Sequence, residues 1–280
     1  MMKRFLLGVS LILLLAAGFA GLPAGQPGAG GELFPALRNT SFGTGEELEY
    51  RVNFGIFTVG HALTRIDSKV YSLKSRPCYK IDAYGATSGL LSFLSKVDDQ
   101  WGAYVDTAAL VTHVSYRRLR EGPFRRDEVV TFDHEQQKAE VKVMNKETGI
   151  YDNVKYYPVE RNVRDIVAGF MYLRVLDFSK RKKGDTISVK GFFEDTSYVL
   201  KIIYGGKEKV NSHVGKIMCH KIIPIVPDNK LFNGENSVTA WFSDDGNRIP
   251  VKIQAKMFIG STGLELTSFK GLRNQLKIIQ

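Results

Sequence analysis

Cysteine is scarce in this chain. Cys78 and Cys219 are the only two in 280 residues, and neither falls just after the N-terminal apolar run, where a lipoprotein would carry its acylated cysteine. No lipoprotein anchor at that point is therefore expected. Segments of membrane-spanning length are absent beyond the N-terminus, so no transmembrane span is expected after cleavage of a leader. There is no Gly-x-Ser-x-Gly stretch, which removes the strand-to-helix elbow of the common serine hydrolases. Histidine is also sparse: His61, His113, His134, His213 and His220 show no known metal-ligand spacing, so neither a metal nor a cofactor is expected. Acidic residues fall short of basic ones, 29 against 39.

What is present points to an exported globular protein. The chain is 44% hydrophobic and 24% charged, a composition that excludes disorder. Lys3 and Arg4 precede an apolar run over residues 5–20, short of the roughly 20 residues a spanning helix needs and closed by Gly18 and Ala20. These are the parts of a cleaved signal peptide (residues 1–20), which predicts a periplasmic address. A Gly/Pro-rich leader follows over residues 21–44, and residues 45–280 form the expected domain.

Hydrophobic period sets the fold class. Leu48, Tyr50, Val52 and Phe54 alternate with Glu47, Glu49, Arg51 and Asn53, the period of a strand with one wet face. The same alternation recurs at residues 138–143 and, after a break, at residues 241–256. Turn chemistry is read at residues 133–136, 204–207 and 244–247. The expected fold is mostly β: an antiparallel curved sheet or open barrel-like sheets. One short central helix is expected over about residues 163–176, where Val163, Ile166, Val167, Phe170 and Leu173 recur every three or four positions, with Asn162 as N-cap. A weaker helical pattern covers residues 88–96.

The two halves of the domain, about residues 45–160 and 177–280, share a pattern. Lys69-Val70-Tyr71-Ser72 answers Lys209-Val210-Asn211-Ser212, Cys78 answers Cys219, Trp101 answers Trp241, and Asp106 and Asp245 each open a turn. This reads as an internal duplication, with chance likeness among strands as the alternative. A Cys78–Cys219 disulfide is left open by the sequence, since it requires Cα atoms within about 7 Å.

Three further stretches resemble a bacterial exported family known as domain of unknown function 3108. They are residues 45–52 (Gly-Glu-Glu-Leu-Glu-Tyr-Arg-Val) with Phe54-Gly55 and Val59-Gly60, residues 165–174, and residues 241–245 leading to Arg248-Ile249-Pro250-Val251, Lys256 and Gly260. The resemblance implies an envelope location and a β-rich fold akin to the half-barrels of periplasmic lipoprotein carriers. It implies no catalytic residue.

The remaining chemistry is read from side-chain types. Asp244-Asp245 and Asp98-Asp99 are paired carboxylates of the kind glycoside hydrolysis uses, though a structural role is favoured for both pairs, by turn composition for the first. Cys219 and His220, adjacent on a strand, point to opposite faces and form no catalytic pair. The basic clusters at residues 117–126 and 180–183 fit an anionic envelope surface better than nucleic acid, given the export signal, with solvated loops that keep a β protein soluble as the simpler alternative. A face bearing Leu48, Tyr50, Val52 and Phe54 exceeds what one short helix covers, so an apolar cleft for a lipid or other amphiphile is expected. Tyr50, Val52, Phe54, Trp101 and Trp241 are its candidate ligand-binding residues. The rival functions are a carboxylate-dependent enzyme acting on envelope polysaccharide and an assembly partner without a small ligand.

Overall fold

Alternating β-branched and aromatic residues form strands throughout the computed structural model, which describes residues 22–23, 32–89, 96–225, 237–258 and 260–279. The expected signal peptide and most of the 88–96 helical pattern lie outside the described residues. Chain order is β1 (Leu22–Pro23), β2 (Glu47–Phe54), β3 (Phe57–Leu73), β4 (Arg76–Thr87), β5 (Asp98–Asp106), β6 (Thr112–Glu121), β7 (Phe124–Asp133), β8 (Lys138–Val143) and β9 (Asn153–Pro158). After helix α1 (Ile166–Leu173) come β10 (Thr186–Phe193), β11 (Thr196–Ser212), β12 (Gly215–Pro224), β13 (Val238–Ser243), β14 (Pro250–Lys256), β15 (Ser261–Lys270) and β16 (Ile278–Ile279).

These strands make one antiparallel curved sheet that does not close. Two meanders, β2 to β9 and β10 to β15, are fused where β15 pairs with β2, opposing Leu266 to Tyr50 and Leu264 to Val52. The free margins are β9 and β10. Part of the β10 margin is satisfied by the chain entering α1, since the Phe192 amide donates to the Arg164 carbonyl.

Register fixes the faces. Leu48, Tyr50 and Val52 share one face with Ala62 and Thr64 on β3, Ile81 and Ala83 on β4, and Trp101 on β5. Gly60, opposite Val52, lies so close to β4 that a Cβ would collide with the Ala86 carbonyl oxygen. The concave face thus carries the core, which draws on both meanders and on α1.

The expected short helix is present, and three details differ. The helix is shorter than residues 163–176 because Asn162 has left-handed backbone (φ 58°) and uses its side chain to hold the preceding leader, so Asp165 caps instead, accepting from the Val167 and Ala168 amides. Residues 204–207 are no turn: β11 runs through them with a bulge between Tyr204 and Gly206, where Gly206 takes φ 87°. The packed domain also begins before residue 45, with Ser41 and Phe42 fully buried. The turns at 133–136 and 244–247 fall between strands as expected.

Residues 69–72 and 209–212 lie on β3 and β11, both 17 residues long; the cysteines lie on the returning strands β4 and β12; the tryptophans lie on β5 and β13.

Candidate functional site

Helix α1 sits in the hollow of the sheet and leaves a gap beneath it. Ile166, Val167, Phe170 and Met171 form its roof, and Leu48, Tyr50, Ile81, Trp101, Ile253 and Leu264 its floor, around a cavity of about 80 Å³. The lining is overwhelmingly carbon. Burial raises the Tyr50 phenol pKa above its usual range, which keeps the hydroxyl neutral. The indole N–H of Trp101 is buried with no hydrogen-bond partner among the described residues, while its ring stacks on Phe193 at 5.8 Å and lies beneath the Arg117 guanidinium.

Of the five candidate ligand residues, Tyr50 and Trp101 line this cavity. Val52 is buried on the same face, and Phe54 is half-buried at the sheet end beside Gly260. Trp241 is elsewhere. It pairs with Lys221 and Lys252 on the outer face, the face of Arg51 and Glu265, where its indole donates to Glu208 under the Lys221 ammonium. The next residue, Phe242, faces inward by ordinary strand alternation, its pairing with His220 following that of Trp241 with Lys221 without a shift. The two tryptophans therefore serve opposite faces of the sheet.

Sequence reasoning missed the polar node that fastens α1. Arg174, just past the helix and 2% exposed, donates to Glu46 (Nη2 to Oε2 2.8 Å) and to the carbonyl of Asn247 (3.1 Å). Arg248 returns a bond to the Arg174 carbonyl, and Ser41 adds another. Glu46, Arg174 and Asn247–Arg248 come from the three stretches that carry the family resemblance, so their joint occurrence was the available signal. At the other end Asp165, buried, also accepts from the Thr112 hydroxyl at 2.6 Å; burial raises its pKa against these hydrogen bonds.

A second buried group went unread. His113 and His134 sit with ring centroids 5.6 Å apart, and Phe34 of the leader packs on both under the Arg76 guanidinium. His134 Nε2 donates to the Thr112 carbonyl, yet burial dominates and lowers its pKa to about 4. Burial also opposes ionisation of Asp106, but His113, Arg76 and the amides of Ala108 and Ala109 hold its pKa well below the carboxylate range. No group of three or more potential metal ligands gathers among the described residues.

The carboxylate pairs do not flank a cleft. Asp244 bonds Lys207 and His220, whereas Asp245 accepts from Ser243 and from the amides of Asn247 and Arg248, as a turn residue does. Asp98 is exposed, and Asp99 points the other way to accept the Arg120 amide. Cys78 and Cys219 are free and buried on strands that are not neighbours, so the contemplated bridge is not formed. Burial raises their pKa values to about 11 and about 12.

The family described as "Protein of unknown function (DUF3108)" matches residues 49–267. Comparison with curated proteins gave no match. The chain is similar to a β-barrel-like protein of domain of unknown function DUF1849 from Brucella abortus, at 12% identity over 83% of this chain and 99% of that one, with TM-score 0.53; that likeness concerns the fold alone. Weaker likenesses are to a protein from Bacteroides fragilis described as exported, with a YmcC-like fold (9% identity, 84% and 99% covered, TM-score 0.35), and to one from Parabacteroides distasonis described as a lipoprotein (12%, 86% and 100%, TM-score 0.30). Among the described residues no helix is long and apolar enough to cross a membrane.

Proposed function

For a chain that belongs to the DUF3108 family, we propose the role of a periplasmic, non-enzymatic binding protein that takes the apolar end of an envelope amphiphile into the cavity beneath α1. The observation that carries this reading is the apolar lining of that cavity, roofed by a helix of only eight residues. The unpartnered Trp101 N–H supplies a single donor beside it, suited to an ester or hydroxyl oxygen near the chain end. Export rests on the basic start and apolar run of residues 3–20.

Size limits the occupant. A cavity of roughly 150 Å³ accepts a benzene ring, so about 80 Å³ takes a few methylene groups and no more. Both ends of α1 are fastened, by Asp165 to Thr112 and by Arg174 to Glu46, which keeps the roof in place. Affinity for a series of alkyl carboxylates should therefore rise by about fourfold per methylene, the worth of roughly 0.8 kcal/mol each, and stop rising once the cavity is full. Calorimetric titration of the mature protein with butanoate to dodecanoate tests this. Replacing the half-buried, cavity-lining Ala83 by Phe should abolish the chain-length dependence. A folded protein that takes up no alkyl probe saturably would leave the assembly-partner role ahead.

A further inference from the structure

The strongest unassigned feature lies on the opposite face of the sheet. There Lys96, Arg118, Arg120 and Arg125 converge on a polar hollow of about 380 Å³, with Tyr84, Gln100 and Asp98 in its walls. This volume is in the range of small-molecule sites, roughly 300–1,000 Å³, and is several times that of the cavity beneath α1. Gln100 and Arg118 are directly paired across β5 and β6, and the register puts them on the face opposite Trp101.

The cations are not equivalent. Arg120 is fixed by Asp127, which takes its Nη2 on both carboxylate oxygens at 2.8 and 2.7 Å. Arg118, with a side chain 63% exposed, approaches Asp127 with Nε at 3.6 Å, and its terminal nitrogens make no hydrogen bond among the described residues. Arg125 uses Nη1 on the Gly122 and Phe124 carbonyls, which orients its fork without neutralising it. Among the described residues neither Lys96 nor Arg125 has a carboxylate partner. Against Asp98 and Asp127 the hollow keeps a surplus of two positive charges.

We infer that this hollow is a binding site for a phosphoester borne on a polyhydroxy group, such as a sugar phosphate or glycerophosphate. The terminal nitrogens of Arg118 and the Nη2 of Arg125, which bond no other group among the described residues, match the oxygens of a phosphoester, and Lys96 adds a point charge on a long side chain. Bare phosphate would leave most of the hollow empty. The Asp98 carboxylate accepts from hydroxyl groups of the attached polyol, and the Tyr84 hydroxyl, itself accepting from Gln100 at 3.3 Å, has its own proton to donate. An acyl chain has no place here, so the site is independent of the apolar cavity and stands or falls without it.

The test uses the mature protein in calorimetric titrations with glucose 1-phosphate, glucose and inorganic phosphate, and in sedimentation with vesicles of phosphatidylglycerol or phosphatidylcholine. Glucose 1-phosphate should bind saturably, more tightly than phosphate and far more tightly than glucose, and binding should weaken with salt. Arg118→Gln and Arg125→Gln should each weaken it about tenfold, the loss of one charge-assisted contact. Both residues are exposed, so folding should be unchanged by thermal melt. Lys180→Gln with Lys183→Gln removes two charges from the exposed basic loop before β10 and should leave binding unchanged. Retention on phosphatidylglycerol vesicles that is lost in Arg125→Gln identifies a lipid headgroup as the source of the phosphoester. Binding confined to the soluble probe identifies a glycan or free metabolite. The inference is overturned if no phosphoester probe binds, if glucose binds as well as its phosphate, or if the Lys180/Lys183 variant weakens binding as much as Arg125→Gln.

Discussion

Arg174 shows how much can rest on one residue. Its guanidinium is almost wholly removed from water, with its charge met by Glu46 and its donors shared with the Asn247 carbonyl. A buried ion pair adds little over a well-packed apolar pair, but breaking it strands a charge, at about 3–5 kcal/mol. Arg174→Met should therefore lower stability by that amount in urea titration, while Glu46→Met with Arg174→Met should recover part of the loss. His134 makes the other residue-scale prediction. Its pKa is about 4 folded against an ordinary 6.5, so the unfolded chain binds the extra proton and stability falls as pH drops from 6.5 towards 4. At pH 5 the loss is on the order of 2 kcal/mol, and His134→Asn should flatten the fall in a pH series of thermal melts.

At the scale of the element, α1 is two turns of helix that would not form alone. Its first turn depends on Asp165, whose carboxylate accepts from two backbone amides and the Thr112 hydroxyl. Asp165→Ala should cost about 1–2 kcal/mol in chemical denaturation and, by loosening the roof, should let alkyl carboxylates longer than the cavity allows bind more tightly than they bind the parent protein. Unchanged chain-length dependence in that variant would show the roof to be held by packing alone. The period of three and four residues identified this helix, but not its start, because Asn162 serves the leader and the cap falls three residues later.

For the whole molecule, the fusion of β15 to β2 decides which distant groups meet. It places the C-terminal meander against the first strand of the other and puts β4 and β12 well apart in one sheet, so the two cysteines do not come together. Two thiols should titrate in denatured, unreduced protein, and almost none in the native state at pH 8, since burial lifts their pKa values to about 11 and about 12. A single disulfide peptide in a non-reducing digest would contradict this arrangement.

Local pattern was enough for the strands, the class of fold and the buried face of β2, because a period of two residues assigns faces without reference to anything distant. It was enough for Asp245 as a turn residue, since its bonds to the Asn247 and Arg248 amides are local, though not for the bond its other oxygen accepts from the Lys277 amide. It could not place Trp241, since Ala240, Trp241 and Phe242 are all apolar and buried, and a run without wet and dry alternation assigns no face. Nor could it join Glu46 to Arg174 across 128 positions, or pack Phe34 against both His113 and His134. Those contacts exist only once the sheet curves and its two meanders share a strand pair, for they are made between groups that chain connectivity alone does not bring together.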